Sequence, residues 1–173
     1  KISMSEVNKI NKKTISLPAI KSIDNTTDYI RTRALADSEA LKFRCSDIDI
    51  FNSFEPQGST SKLLYAVAEK IRYENIGSSY FKGIKKNLNY LYESKNMAKI
   101  DHENSDYEFL EAFEYYLRNN ILKHNKNKGS ENKYKKYKKK LDSKFKEKLE
   151  LLNNSLLDQK KFNSLISKII SQF

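Results

Sequence analysis

Apolar residues along this chain recur three and four positions apart and show almost no strict alternation. That periodicity predicts amphipathic helices and no sheet. A first helix should begin at Asn25–Thr27, where small polar side chains can cap free N–H groups. It should run to Arg44–Ser46 with Ile30, Ala34, Leu41 and Cys45 facing inward. Asp47–Phe54 reads as a connector holding one short helical turn, stopped by Pro56 and Gly58. Ser59 or Thr60 can cap a second helix reaching Ile76, with Leu63, Leu64, Val67, Ala68 and Ile71 as its stripe. Gly77 stands where a left-handed C-terminal cap is expected, since glycine reaches that conformation without steric cost.

A third helix over Ser79–Lys95 should bury Phe81, Ile84, Leu88 and Leu91, and a fourth over Asp106–Leu122 should bury Phe109, Leu110, Phe113, Leu117 and Ile121. The fourth opens on Asp106 and Glu108, which suit a helix N-terminus through the macrodipole. After the polar run 125–130 comes a long basic helix, Glu131–Asn153, with Tyr134, Tyr137, Leu141, Phe145, Leu149 and Leu152 on one face. A last helix from Asp158 carries Phe162, Leu165, Ile166, Ile169 and Ile170, and should fold back on its predecessor as an antiparallel hairpin. The expected fold is all-α: an irregular bundle of five or six helices with a basic C-terminal hairpin. Residues 1–24 read as an arm, 25–122 as a helical core, and 123–173 as a Lys-rich hairpin packed on it.

Composition changes this picture little. Gly (4) and Pro (2) are too scarce to punctuate a β-protein. The single cysteine, Cys45, excludes an intrachain disulfide and fits a reducing, cytoplasmic setting. No apolar run approaches a membrane span, and the N-terminal residues show no hydrophobic signal region.

Charge needs more care. The net charge is +11, and residues 123–148 hold 12 Lys against 3 Asp and Glu. Abundant Lys, Asn, Ile, Ser and Tyr also point to a genome poor in G and C, which adds lysine without selection for a polyanion. The run 133–141 places Tyr134, Tyr137 and Leu141 on one helical face and leaves Lys135, Lys136, Lys138 and Lys139 on the other. Those four lysines are the candidate polyanion contacts, and the reading as a solvated face is the stronger one.

Candidate chemistry is sparse. His102, His124 and Cys45 lack metal-ligand spacing, so no metal site is expected. No glycine-rich phosphate loop is present, so the chain should not hydrolyse ATP by itself. Charged residues at helical positions are more informative. Arg72 lies three residues from Glu69 and can pair with it. Asp37 falls between apolar positions and needs a partner if buried, which Arg72 or Arg44 could supply. Asp37, Arg44, Glu69, Arg72 and Glu74 therefore form either an ion-pair network inside the domain or a subunit-interface patch. Pro56, Gly58, Gly77 and Gly83 mark turns or caps.

These residues also carry a resemblance. Ala36-Asp37-Ser38, Ala40-Leu41, Cys45 and Asp47, then Pro56 and Gly58, then Glu69, Arg72, Glu74, Ile76 and Gly77, then Gly83, Asn87 and Leu88, keep one ungapped spacing. The pattern is similar to the N-terminal domain of the CobT subunit of aerobic, ATP-dependent cobaltochelatase. Ser46 stands where that family has His, and Ser79-Tyr80 where it has a basic pair. Past residue 122 the resemblance fades. It implies a non-catalytic docking domain acting with an AAA+ ATPase subunit and a large chelatase subunit, with a homo-oligomer as a further option. The complex would use ATP and Mg to insert cobalt into a corrin-ring precursor in cobalamin biosynthesis. No Asp-x-Ser-x-Ser motif of the family's C-terminal domain occurs, so the expectation is an N-terminal domain alone, with no cofactor and no metal-insertion chemistry in this chain. A helical nucleic-acid-binding or adaptor module using residues 131–150 is the alternative.

Overall fold

A computed structural model of the chain describes residues 26–97, 105–121 and 134–173. The expected arm (1–24), His102, His124 and the polar run 125–130 lie outside the described residues. The elements are α1 (Thr26–Cys45), α2 (Ile48–Ser53), α3 (Ser59–Tyr80), α4 (Lys82–Met97), α5 (Ser105–Ile121), α6 (Lys135–Phe145), α7 (Leu149–Asn154) and α8 (Gln159–Ile170). A single 3-10 turn, Lys146–Lys148, joins α6 to α7. No strand occurs among the described residues, and the fold is an all-α irregular bundle.

Helix α3 is the axis, and α1, α4, α5 and α8 all pack against it. It is consequently buried on more than one face, through Leu64, Tyr65, Ala68, Ile71 and Tyr73. The main core joins these to Phe113, Tyr116, Leu117 and Ile121 of α5, Leu141 and Phe145 of α6, Leu152 of α7, and Phe162, Ile166, Ile169 and Ile170 of α8. A smaller cluster, Ala34 with Leu88, Leu91 and Tyr92, closes α1 on α4. Helix α8 does not form a simple hairpin with the basic run. Its wide apolar stripe lies on α3 and α2, and it meets α7 at fewer points.

Capping follows side-chain chemistry at two ends. Asp47 accepts from the Asp49 and Ile50 amides at 2.8 and 3.1 Å and starts α2. Asp158 accepts from the Lys161 amide at 3.0 Å and starts α8. That bond holds the Asp158 carboxyl below its ordinary range. Helix α3, by contrast, begins at Gly58 with no side-chain cap, so neither Ser59 nor Thr60 plays the expected role. Gly58 has φ +90° and, with buried Pro56, makes the turn that the sequence placed there.

Gly77 does not cap α3. The helix runs on to Tyr80, and Gly77 is buried within it. A Cβ there would come within 2.3 Å of Leu41 Cδ2, so this glycine lets α1 approach α3 closely. The break falls instead at Phe81, one extended residue (φ −125°, ψ 102°) whose N–H still bonds the Gly77 carbonyl at 2.9 Å. Gly83 is likewise no cap, since it sits in the first turn of α4. Two residues expected inside, Leu63 and Phe81, are 51% and 49% exposed. The expected helix 131–153 is divided at Lys146–Lys148, a run that contributes nothing to the core.

Candidate functional site

The polar residues singled out in the sequence lie mostly inside the bundle. Arg72 is 1% exposed and Glu69 3%. Their pairing is bidentate: Arg72 Nε donates to Glu69 Oε2 and Nη2 to Oε1, both at 2.8 Å. Spacing three apart on α3 places them together, and the planar guanidinium matches the carboxylate fork. Arg72 also donates to the Leu156 carbonyl at 2.9 Å and to the Cys45 carbonyl. Glu69 accepts from Ser46 Oγ at 2.6 Å. Gln159 of α8 completes this cluster, accepting from the Asp47 amide at 2.7 Å and donating to the Asp47 carbonyl at 2.9 Å. One buried ion pair therefore ties the end of α1, the middle of α3 and the entry to α8.

A second cluster surrounds Glu74, which is 0% exposed. It accepts from Ser38 Oγ at 2.6 Å, Tyr92 Oη at 3.0 Å and Arg118 Nη2 at 2.8 Å. Helices α1, α3, α4 and α5 thus meet on one carboxylate. Arg118 also reaches Glu114 at 3.3 Å and lies over the Tyr92 ring, 3.1 Å from its centroid. Burial opposes the Arg118 charge, but Tyr92, Glu74 and Glu114 outweigh it and hold its pKa above the ordinary arginine value. Burial also pushes the Tyr92 hydroxyl well above its ordinary range, with Arg118 opposing and Glu74 adding to the shift.

Asp37 forms a third point of attachment. Its carboxylate takes Arg33 Nε at 3.1 Å and Asn87 Nδ2 at 2.8 Å, joining α1 to α4. The expected partners Arg72 and Arg44 are not used: Arg72 is committed to Glu69, and Arg44 is exposed. Arg33, Tyr92, Glu114 and Arg118 complete the clusters without having been identified from sequence, and Ser38 and Asn87, which stood in the family pattern without a stated role, join them. The burial of Asp37 and Ser38 had a local signal, because Ala34, Asp37, Ser38 and Leu41 form one i, i+3, i+4, i+7 stripe on α1. Arg118 had none.

The remaining candidates are on the surface. Lys135, Lys136, Lys138 and Lys139 are all exposed on α6. Lys136 differs from the others, pairing with Glu108 at 2.5 Å. That contact, with the Tyr137 bond, raises its pKa. No group of three or more His, Cys, Asp or Glu able to hold a metal occurs among the described residues, and Cys45 is a half-buried free thiol. No described helix is long and apolar enough to cross a membrane.

At the bend between α3 and α4, an open groove is lined by Arg33, Asp37, Tyr80, Phe81, Gly83 and Asn87, among others. Tyr80 is 70% exposed and Phe81 49%. Nothing lies within 4 Å of a Cβ placed on Gly83. The site is therefore in two parts: buried ionic clusters that join helices, and an exposed aromatic elbow beside them.

Fold and site together define a class of structure: an all-α irregular bundle whose helices are stapled by buried carboxylate–arginine clusters. Comparison with known families makes that class specific: residues 3–173 match the family described as cobalamin biosynthesis protein CobT, and the chain belongs to that family. The match corrects the expectation that family character fades after residue 122, because it extends over the basic run and α8. No solved structure matches the chain.

Proposed function

We propose that this chain is the assembly and docking domain of a CobT-type subunit. It would work with an AAA+ ATPase subunit and a large chelatase subunit in ATP-dependent cobalt insertion into a corrin-ring precursor, in the cytoplasm. ATP, Mg and cobalt would be handled by those partners, with this domain passing on conformational change through differential contacts. The observation that carries the reading is how the family motif divides between inside and outside. Asp37, Glu69, Arg72 and Glu74 are buried and bonded within the domain, so they serve the fold rather than a partner directly. Ala40, Asp47, Gly58 and Gly83 are the motif residues left exposed, and of these Gly83 stands at the elbow with Tyr80 and Phe81, where this chain departs from the family's basic pair.

Gly83 supports this use of the elbow. Glycine is a poor helix former, and Gly83 stands in the first turn of α4. Neither positive φ nor internal crowding requires one at this position. The space beside it is open for a partner's backbone or side chain. Lys82, Lys85 and Lys86, exposed along α4, supply positive charge close to where the family's basic pair would stand.

The test is co-elution with the AAA+ subunit. Tyr80→Ala/Phe81→Ala and, separately, Gly83→Trp should reduce the complex at least tenfold while thermal stability stays near that of the parent chain. Full complex formation by both variants would remove the elbow from the docking surface.

A further inference from the structure

A cleft of about 340 Å³ lies between α5 and α6, away from the buried ionic clusters and the elbow. Its floor is apolar, from Ala112 and Leu141, and Tyr115 and Tyr134 stand in its wall with ring centroids 4.9 Å apart. Asn119 also faces it, and Lys135 and Lys138 are at the rim. Three of these groups are unused by the fold among the described residues. The Tyr115 hydroxyl is buried and has no hydrogen-bond partner among the described residues. A buried hydroxyl left so is unfavourable unless something else bonds it. Lys135 and Lys138 are exposed and make no ion pair among the described residues, unlike Lys136 on the neighbouring face. Asp142, the carboxylate in the lining, accepts the Tyr116 hydroxyl at 2.9 Å and stands against two lysines, so positive charge outnumbers negative around the cleft.

We propose that this cleft binds a small anionic aromatic ligand of the mononucleotide class. The aromatic wall suits a planar ring, the Tyr115 hydroxyl and Asn119 amide suit its polar edge, and the two lysines suit a phosphate. The volume falls within the roughly 300–1,000 Å³ typical of small-molecule sites. The lysines noted in the sequence thus acquire a role through what lies behind them rather than through charge alone. A single-stranded polynucleotide would need a continuing groove, and the cleft is bounded by two helices.

The test titrates AMP and ATP into the 173-residue chain by calorimetry, with a single-stranded oligonucleotide as competitor. Saturable one-to-one binding is expected for AMP or ATP. Tyr115→Phe should weaken it about tenfold, as for one lost hydrogen bond. The same substitution removes an unpaired buried hydroxyl, so the melting temperature should hold or rise. Lys135→Ala/Lys138→Ala should weaken binding by at least tenfold and make it insensitive to salt. Absence of saturable binding by both nucleotides, or binding indifferent to these variants, would overturn the proposal. Binding of the oligonucleotide alone through the same lysines would also overturn it, in favour of strand recognition.

Discussion

At the scale of single residues, Arg72 shows how far burial changes the meaning of a charge. With 1% exposure and bonds to Glu69, Leu156 and Cys45, it cannot reach a partner without unfolding its surroundings. Arg72→Ala would strand the Glu69 carboxylate in the core and should cost about 3–5 kcal/mol, read as a lowered denaturant midpoint. Arg72→Lys should recover only part of that loss, because an ammonium cannot present the two-pronged fork. Gly77 makes the same point for packing. Gly77→Ala gains helix propensity but drives a methyl into Leu41, so a net loss of about 1–3 kcal/mol is expected. Leu41→Ala should remove that clash, and the double variant should be markedly less destabilised than the sum of the singles. Additive losses would show that the two side chains do not meet. The sequence pointed to Gly77 as a helix terminator because that signal is local. Its role depends on a helix 36 positions earlier, which no local window reports.

At the scale of elements, helix existence was legible and the joints were not. Periodic apolar residues placed α1, α4, α5 and α8 to within a few residues. The bend after α3 carries no breaker at all: Phe81 turns the chain with an extended backbone after Gly77 has passed unbroken. The split of the basic run at Lys146–Lys148 similarly has no Gly or Pro to announce it. Polar residues inside the bundle are the other reason. Helix α1 buries Asp37 and Ser38 in its stripe, so hydrophobic patterning alone underestimates its inner face. The tyrosines between elements make a prediction about pH. Burial is the leading cause that raises Tyr65, Tyr73, Tyr92, Tyr116 and Tyr134 above the ordinary value of 10.0. Above pH 10 the unfolded chain loses these protons while the folded chain keeps them, so stability is complete below that pH and declines as pH rises. Denaturation midpoints at pH 8, 10 and 11 should fall in that order, and Tyr92→Phe should make the decline shallower. A midpoint that does not change up to pH 11 would contradict the tyrosine account.

At the scale of the whole molecule, the charged motif and the fold explain one another. Glu69–Arg72 and Glu74–Arg118 draw the residues before and after the basic run onto one central helix, which is why residues 134–173 share a core with α3 and α5. Pairing Glu69 with Arg72 could be anticipated from their spacing. Assigning Arg118 to Glu74 could not, because 44 residues separate them. The elbow was also hidden in the sequence, since Phe81 read as a core residue and emerged on the surface. The proposed docking role comes down to one division: the motif's buried residues maintain the domain, and the elbow around Gly83 would meet the partner. Amide hydrogen exchange of the domain, alone and in complex with its AAA+ subunit, tests this most directly. New protection is expected at residues 79–86, with unchanged, already slow exchange around Glu69, Arg72 and Glu74. Protection that leaves 79–86 untouched, or appears mainly in the middle of α3, would contradict it.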